Sequence, residues 1–150
     1  MIYFILTGII VLIDQISKYF AQTYLSKVNT FPLIQDVFHL TYKENTGAAF
    51  SILMGKQTFL ILVTTFVIVI LLGLLYKTLG TSQALLSLSL AFIIGGAIGN
   101  LIDRVRLGYV VDYFDFTLTN FAVFNVADSF VVVGTIILSY LILFKDIKIV

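Results

Sequence analysis

Four of the eight acidic residues, Asp103, Asp112, Asp115 and Asp128, fall within 26 consecutive positions. Their neighbours are Val, Tyr, Phe and Ala rather than the Ser, Lys and Gly of a solvated acidic loop. Two carboxylates brought close in apolar surroundings cannot both ionise cheaply. The pair then shares a proton, and one member can act as general base while the other acts as general acid. Such a pair adds water to an amide without a metal or a covalent intermediate. Other hydrolytic chemistries lack their residues here. The chain has no cysteine, and His39, its single histidine, is followed by Leu-Thr-Tyr, so no H-E-x-x-H zinc helix exists. No G-x-S-x-G serine and no G-x-G-D sequence occurs. If the chain is a hydrolase, aspartates carry the reaction, and no cofactor or metal is expected.

The elements that must position these acids are set by composition. Of 150 residues, 60% are hydrophobic and 11% charged, with a mean hydropathy of +1.09. Soluble domains average about 45–50% apolar and about 25% charged residues, and a small one cannot hide this much apolar surface. A soluble enzyme, a disordered chain and a basic nucleic-acid module are excluded, and a net charge of +1 gives a polyanion nothing to bind. The apolar runs read as four transmembrane helices at about 2–21, 57–76, 84–102 and 125–144, each near the ~20 residues needed to cross hydrocarbon. The first has no basic leader and runs straight into Asp14-Gln-Ile-Ser-Lys18 without a small-residue cleavage site, so it reads as a retained span. The connections 22–56 and 103–124 are long, 77–83 is a short turn and 145–150 a short tail. Val37–Tyr42 and Tyr109–Phe116 are rich in aromatic and β-branched residues and read as strands near the membrane interface. One domain over residues 1–150 is expected.

Four sequential spans put the end of the first, the start of the second, the end of the third and the start of the fourth on one side. Asp14, Lys18, Asn45, Asn100, Asp103, Arg104, Asp112, Asp115, Asn125 and Asp128 all fall on that side. Asp14 and Lys18 lie one helical turn apart and can pair, either as an internal ion pair or facing a substrate. Gly95-Gly-Ala-Ile-Gly99 reads as a close-packing stripe rather than a phosphate loop, because no Lys-Ser/Thr follows it. Positive charge per residue favours the short turn and tail as cytoplasmic, while the raw count points the other way. A small transporter or proton-relay subunit is the alternative to a hydrolase. A transporter spreads ionisable groups across the midplane, however, whereas these gather at one face.

Five collinear segments carry a family likeness: Asp14-Gln-Ile-Ser-Lys18, Asn45-Thr-Gly-Ala-Ala-Phe50, Gly95-Gly-Ala-Ile-Gly-Asn100-Leu-Ile-Asp-Arg104, Gly108-Tyr-Val-Val-Asp112 and Phe124-Asn-Val-Ala-Asp128. Together the sequence resembles bacterial lipoprotein signal peptidase, also called signal peptidase II. The resemblance implies an all-α polytopic membrane protein with four transmembrane helices and a small extracytoplasmic loop region containing β-structure. It implies an aspartic endopeptidase that removes the signal peptide of a diacylglyceryl-modified prolipoprotein just before the lipidated cysteine. It assigns catalysis to Asp112 and Asp128, and lining or support of the site to Asp14, Lys18, Asn45, Gly47, Asn100, Arg104, Asn125 and Ala127. Asp103 reads as structural, and Asp115 lies outside the pair. The implied setting is the bacterial cytoplasmic membrane, with both termini cytoplasmic and the site near the extracytoplasmic face. The expected partners are the prolipoprotein and membrane lipid, with no nucleic acid, and the expected state is a monomer.

Overall fold

A computed structural model describes residues 1–48, 52–81, 83–119 and 121–145. Helix α1 (Ile2–Phe20) continues through a π-helical segment, Ala21–Leu25, into a short turn of helix, α2 (Ser26–Val28). The chain then forms β1 (Thr30–Ile34) and β2 (Phe38–Asn45) and returns as α3 (Gln57–Thr78) and α4 (Ala84–Leu107). It ends with β3 (Val110–Phe116), a 3-10 turn and α5 (Val126–Phe144). The helical stretch Ile2–Val28 and helices α3, α4 and α5 are each long and apolar enough to cross a membrane.

These helices differ from the expected spans at their ends. The first runs past residue 21, because the π-helical segment keeps Ala21 and Leu25 buried beneath the sheet. The last begins at Val126, because Asn125 is extended (φ −134°, ψ −176°) and caps the helix instead of entering it. Helix α4 reaches Leu107 and stops at Gly108, whose φ of +80° is a left-handed conformation that only glycine adopts freely. The expected turn at 77–83 joins α3 to α4, with Ser82 outside the described residues. Of the tail only Lys145 is described, and Lys148 lies outside the described residues, as do Ala49 and Phe50 of the Asn45 segment.

Helix α4 is the centre of the bundle and packs on α1, α3 and α5. Its glycine stripe makes this possible. A Cβ on Gly95 would sit 2.9 Å from the Ile10 side chain, and one on Gly96 would run into the backbone carbonyl of Ala127. With no hydrophobic driving force inside lipid, such close backbone approach is how helices gain contact. The opposite faces of α1, α3 and α5 expose Leu12, Leu62, Phe66, Val69, Ile136 and Leu143, among others. That is the surface a bilayer would cover. At the far end from the acids, Ile68, Leu75, Leu86, Leu90, Ile94 and Leu141 form the apolar core.

The three strands form one antiparallel sheet in the order β1-β2-β3. Strand β2 falls where the aromatic and β-branched run predicts, and β3 likewise. Strand β1 is an addition, an exposed edge strand carrying Pro32. The register places Lys43 opposite Asp112 and Asn45 opposite Val110. Val110, Val111, Asp112 and Tyr113 are all buried against the helix ends, which is unusual for an antiparallel strand at a surface. The sheet therefore acts as a lid that presses Asp112 onto the bundle.

Candidate active site

Asp128 owes its place to a helix cap. The Asn125 side chain accepts from the Asp128 N–H at 2.9 Å, and the Asp128 carboxylate accepts from the Asn125 N–H at 3.2 Å. This reciprocal capping box satisfies two of the amides a helix start leaves unpaired, and it fixes the Asp128 rotamer. The remaining Asp128 oxygen accepts from Asn100 Nδ2 at 2.7 Å.

Asp112 arrives from the other side, on β3. One of its oxygens accepts from Asn125 Nδ2 at 2.7 Å and the other from Asn45 Nδ2 at 3.0 Å. Asn45 is oriented in turn by the Gly47 N–H at 2.9 Å, and Arg104 Nη2 donates to the Gly47 carbonyl at 2.9 Å. Asn125, fully buried, thus touches both aspartates, one through its amide donor and one through its capping oxygen. Burial raises the Asp112 carboxyl to about 7, and the nearby charge of Asp128 adds to the shift. The two asparagine hydrogen bonds and the Lys18 charge offset part of it. The influence of one carboxylate on the other is that of two acids set in one poorly solvated site.

Both carboxylates face a cavity of about 550 Å³, within the range typical of ligand sites. Asn45, Asn100, Arg104 and Ser129 add to its polar wall, while Phe121–Phe124 and Val131–Val133 supply most of its apolar lining. Few polar groups converge there, and they come from four different elements of the chain.

Beneath the site lies a buried ionic cluster. Lys18 Nζ contacts Asp14 Oδ2 at 2.9 Å, Asp103 Oδ2 at 3.0 Å and Asn100 Oδ1 at 2.8 Å. The expected Asp14–Lys18 pair therefore forms, and it is internal rather than open to the cavity, with both side chains buried. Ala127 is buried, and its N–H donates to Asp14 Oδ1 at 2.9 Å. All ten residues expected at the site are thus brought into one connected assembly. Asp115 is not part of it. Three residues on from Asp112, it points to the other face of β3 and accepts from Thr41 Oγ1 at 2.7 Å. Sequence reasoning missed Gln15, whose amide bridges Asp14 and Asp103 at 3.2 and 3.0 Å. Its position beside Asp14, inside the first of the five shared segments, was the available signal. It also missed the hydrogen bond from Tyr113 to Ser17 at 2.7 Å, which ties β3 to α1.

Comparison with known proteins supplies the family. The sequence profile of signal peptidase (SPase) II matches residues 6–144. The chain belongs to the signal peptidase II family. It is 51% identical to a lipoprotein signal peptidase of Caldanaerobacter subterraneus subsp. tengcongensis over 141 residues, 94% of this chain and 95% of that protein. It is 46% identical to one from Clostridioides difficile over 148 residues, 99% of each chain. A bacterial membrane enzyme solved by the in meso method at 2.3 Å superposes with a TM-score of 0.80 at 32% identity, covering 96% of this chain and 88% of that one. Signal peptidase II enzymes are aspartic proteases of membranes, and the four apolar helices fit that setting. Membership selects the hydrolase over the transporter or proton-relay alternative.

Proposed function

We propose that this signal peptidase II protein removes the signal peptide from diacylglyceryl-modified prolipoproteins, cutting just before the lipidated cysteine, with Asp112 and Asp128 activating water. The observation that carries the reading is Asn125, which holds both aspartates at the wall of one cavity. In the proposed reaction the ionised carboxylate of the pair takes a proton from a water whose oxygen attacks the scissile carbonyl. The protonated partner then gives its proton to the departing amine, so the pair ends with one proton, as it began. Arg104, Asn45 and Asn100 face the same space and are placed to orient the peptide or the developing oxyanion.

The surroundings suit a lipid-anchored substrate. The cavity's apolar wall includes Val131, Val132 and Val133 on α5, a helix whose outer face is lipid-exposed along Val132, Val133 and Ile136. A substrate could slide in from the bilayer with its acyl chains still in lipid. In this reading the sheet lies at the extracytoplasmic face, both termini are cytoplasmic, and the protein works as a monomer of one domain.

The test is cleavage of matched synthetic precursor peptides, with and without the diacylglyceryl group, by the purified protein in micelles. The lipidated peptide is expected to be cut to a product beginning at the modified cysteine, and the bare peptide to remain intact. Equal cleavage of both would remove the lipid requirement, and cleavage of neither would remove this substrate class.

A further inference from the structure

The proposed reaction leaves one feature unused: the ionic cluster beneath the cavity does not contact the space a substrate would fill, yet its connections are specific. The two acids beside Lys18 each hold one main-chain amide. Asp14 Oδ1 takes the N–H of Ala127, and Asp103 Oδ2 takes the N–H of Val111 at 3.1 Å. Ala127 immediately precedes Asp128, and Val111 immediately precedes Asp112. The third contact of Lys18, to Asn100 Oδ1, leaves the Asn100 amide nitrogen to donate to Asp128 at 2.7 Å.

We propose that Asp14, Lys18 and Asp103 form a positioning clamp that sets the separation of Asp112 and Asp128 by fixing the backbone one residue before each. This rests on the reading of those two aspartates as the catalytic pair, and it gives Asp103 a role in that pair's geometry without contact to substrate. The physical argument is one of reach. Asp112 stands on a strand and Asp128 on a helix, and they come from elements that do not share a backbone ladder. A backbone bridge between Phe114 and Phe124 joins β3 to the approach to α5, but Val111 and Ala127, the residues just before the two aspartates, take no part in it, and their amides are held by side chains instead. Lys18 joins Asp14 on its own helix to Asp103 on α4, so one ammonium ties the α5 start and the β3 start to a common point. Gln15, bridging both acids and donating to the Gly99 carbonyl at 3.2 Å, stops the two carboxylates from rotating away. Buried charges so fully paired hold one arrangement, because breaking any one contact strands a charge away from water.

The test compares Asp103→Ala with Asp103→Asn on the lipidated peptide, with melting temperature measured alongside and Asp112→Asn as reference. The asparagine keeps an oxygen that can accept from the Val111 N–H; the alanine does not. In Asp103→Ala, kcat is expected to fall on the order of 100-fold while KM stays within about twofold, as for a displaced catalytic group behind an intact binding surface. Asp103→Asn is expected to recover a substantial part of that loss. An Asp103→Ala enzyme with wild-type kcat would overturn the clamp. So would a loss that follows only the fraction of folded protein, with asparagine no better than alanine. If instead Asp112→Asn stays active, the catalytic pair itself is wrong, and that outcome is separate from either result at Asp103.

Discussion

Asp112→Asn abolishes cleavage and, in the same protein, improves thermal stability relative to wild type as the pH is raised. The loss of activity follows from removing the shared proton's acceptor. General acid–base assistance is worth about 10²–10⁴ in rate, so activity falls by roughly 10³-fold or more. The gain in stability follows from the environment of Asp112, which is 2% exposed and whose carboxyl is raised to about 7. An unfolded aspartic acid gives up its proton near pH 4, whereas the folded one keeps it to about 7. Between those values the native state binds more protons than the unfolded state, so wild-type stability declines as pH rises through that window. Asparagine has no proton to lose; its amide nitrogen must face one of the two asparagine donors that Asp112 accepts from, a cost that does not change with pH.

The melting temperature of the variant should therefore rise relative to that of wild type between pH 4.5 and pH 8. Over that range the variant should gain on wild type by an amount on the order of 3 kcal/mol. Thermal melts at both pH values, paired with peptide cleavage, check it. Asp128→Asn is expected to lose activity as well, and its amide meets the same opposition of donors. Both oxygens of Asp128 accept from fixed donors, the Asn125 N–H and Asn100 Nδ2, so an amide there must oppose one donor with another. An active Asp112→Asn enzyme, or one that melts progressively below wild type as pH rises, would contradict this account.

The four helices and the common face of the polar residues were legible because hydrocarbon permits so few alternatives. An uncharged run of the length of 57–76 has one plausible structure, and four such runs fix which ends meet. The register of the site was not legible in the same way. Asn125 looks like the first residue of an apolar helix. Only the capping box reveals that it stands outside the helix, and from there it reaches Asp112 on β3. Pattern alone also hid β1, since Thr30-Phe-Pro-Leu-Ile lacks alternation and contains a proline. The Asp14–Lys18 pair could be read from its spacing, but the link from Lys18 to Asp103 spans 85 positions and no periodicity announces it. What did point to Asp103, Asp112 and Asp128 together was their apolar company. The five-segment family likeness then separated the catalytic candidates from Asp103 and Asp115, which local chemistry alone could not do.

The glycine stripe of α4 yields the second large effect. Gly96→Val is expected to destabilise the protein and to cost activity out of proportion to that destabilisation. A Cβ at position 96 would meet the backbone carbonyl of Ala127 and lie 2.7 Å from a Val131 methyl. A side chain could swing aside, but a helix carbonyl cannot, so α5 must move away from α4 at its first turn. Overpacking of this kind costs about 1–3 kcal/mol. The displaced turn is the one that carries Asp128, and its Ala127 N–H is the group held by Asp14. A shift near 1 Å in a reacting group costs on the order of 100-fold in rate, so the cleavage rate registers a movement that the melt records only modestly. Gly73→Val on α3 is the matched control, since nothing lies within 4 Å of its Cβ position and that face is exposed toward lipid. It should leave both melting temperature and cleavage near wild type. If Gly96→Val cleaved lipidated peptide at the rate of Gly73→Val, the α4–α5 approach could not be what holds Asp128 against Asp112. The pair would then have to owe its spacing to the sheet alone.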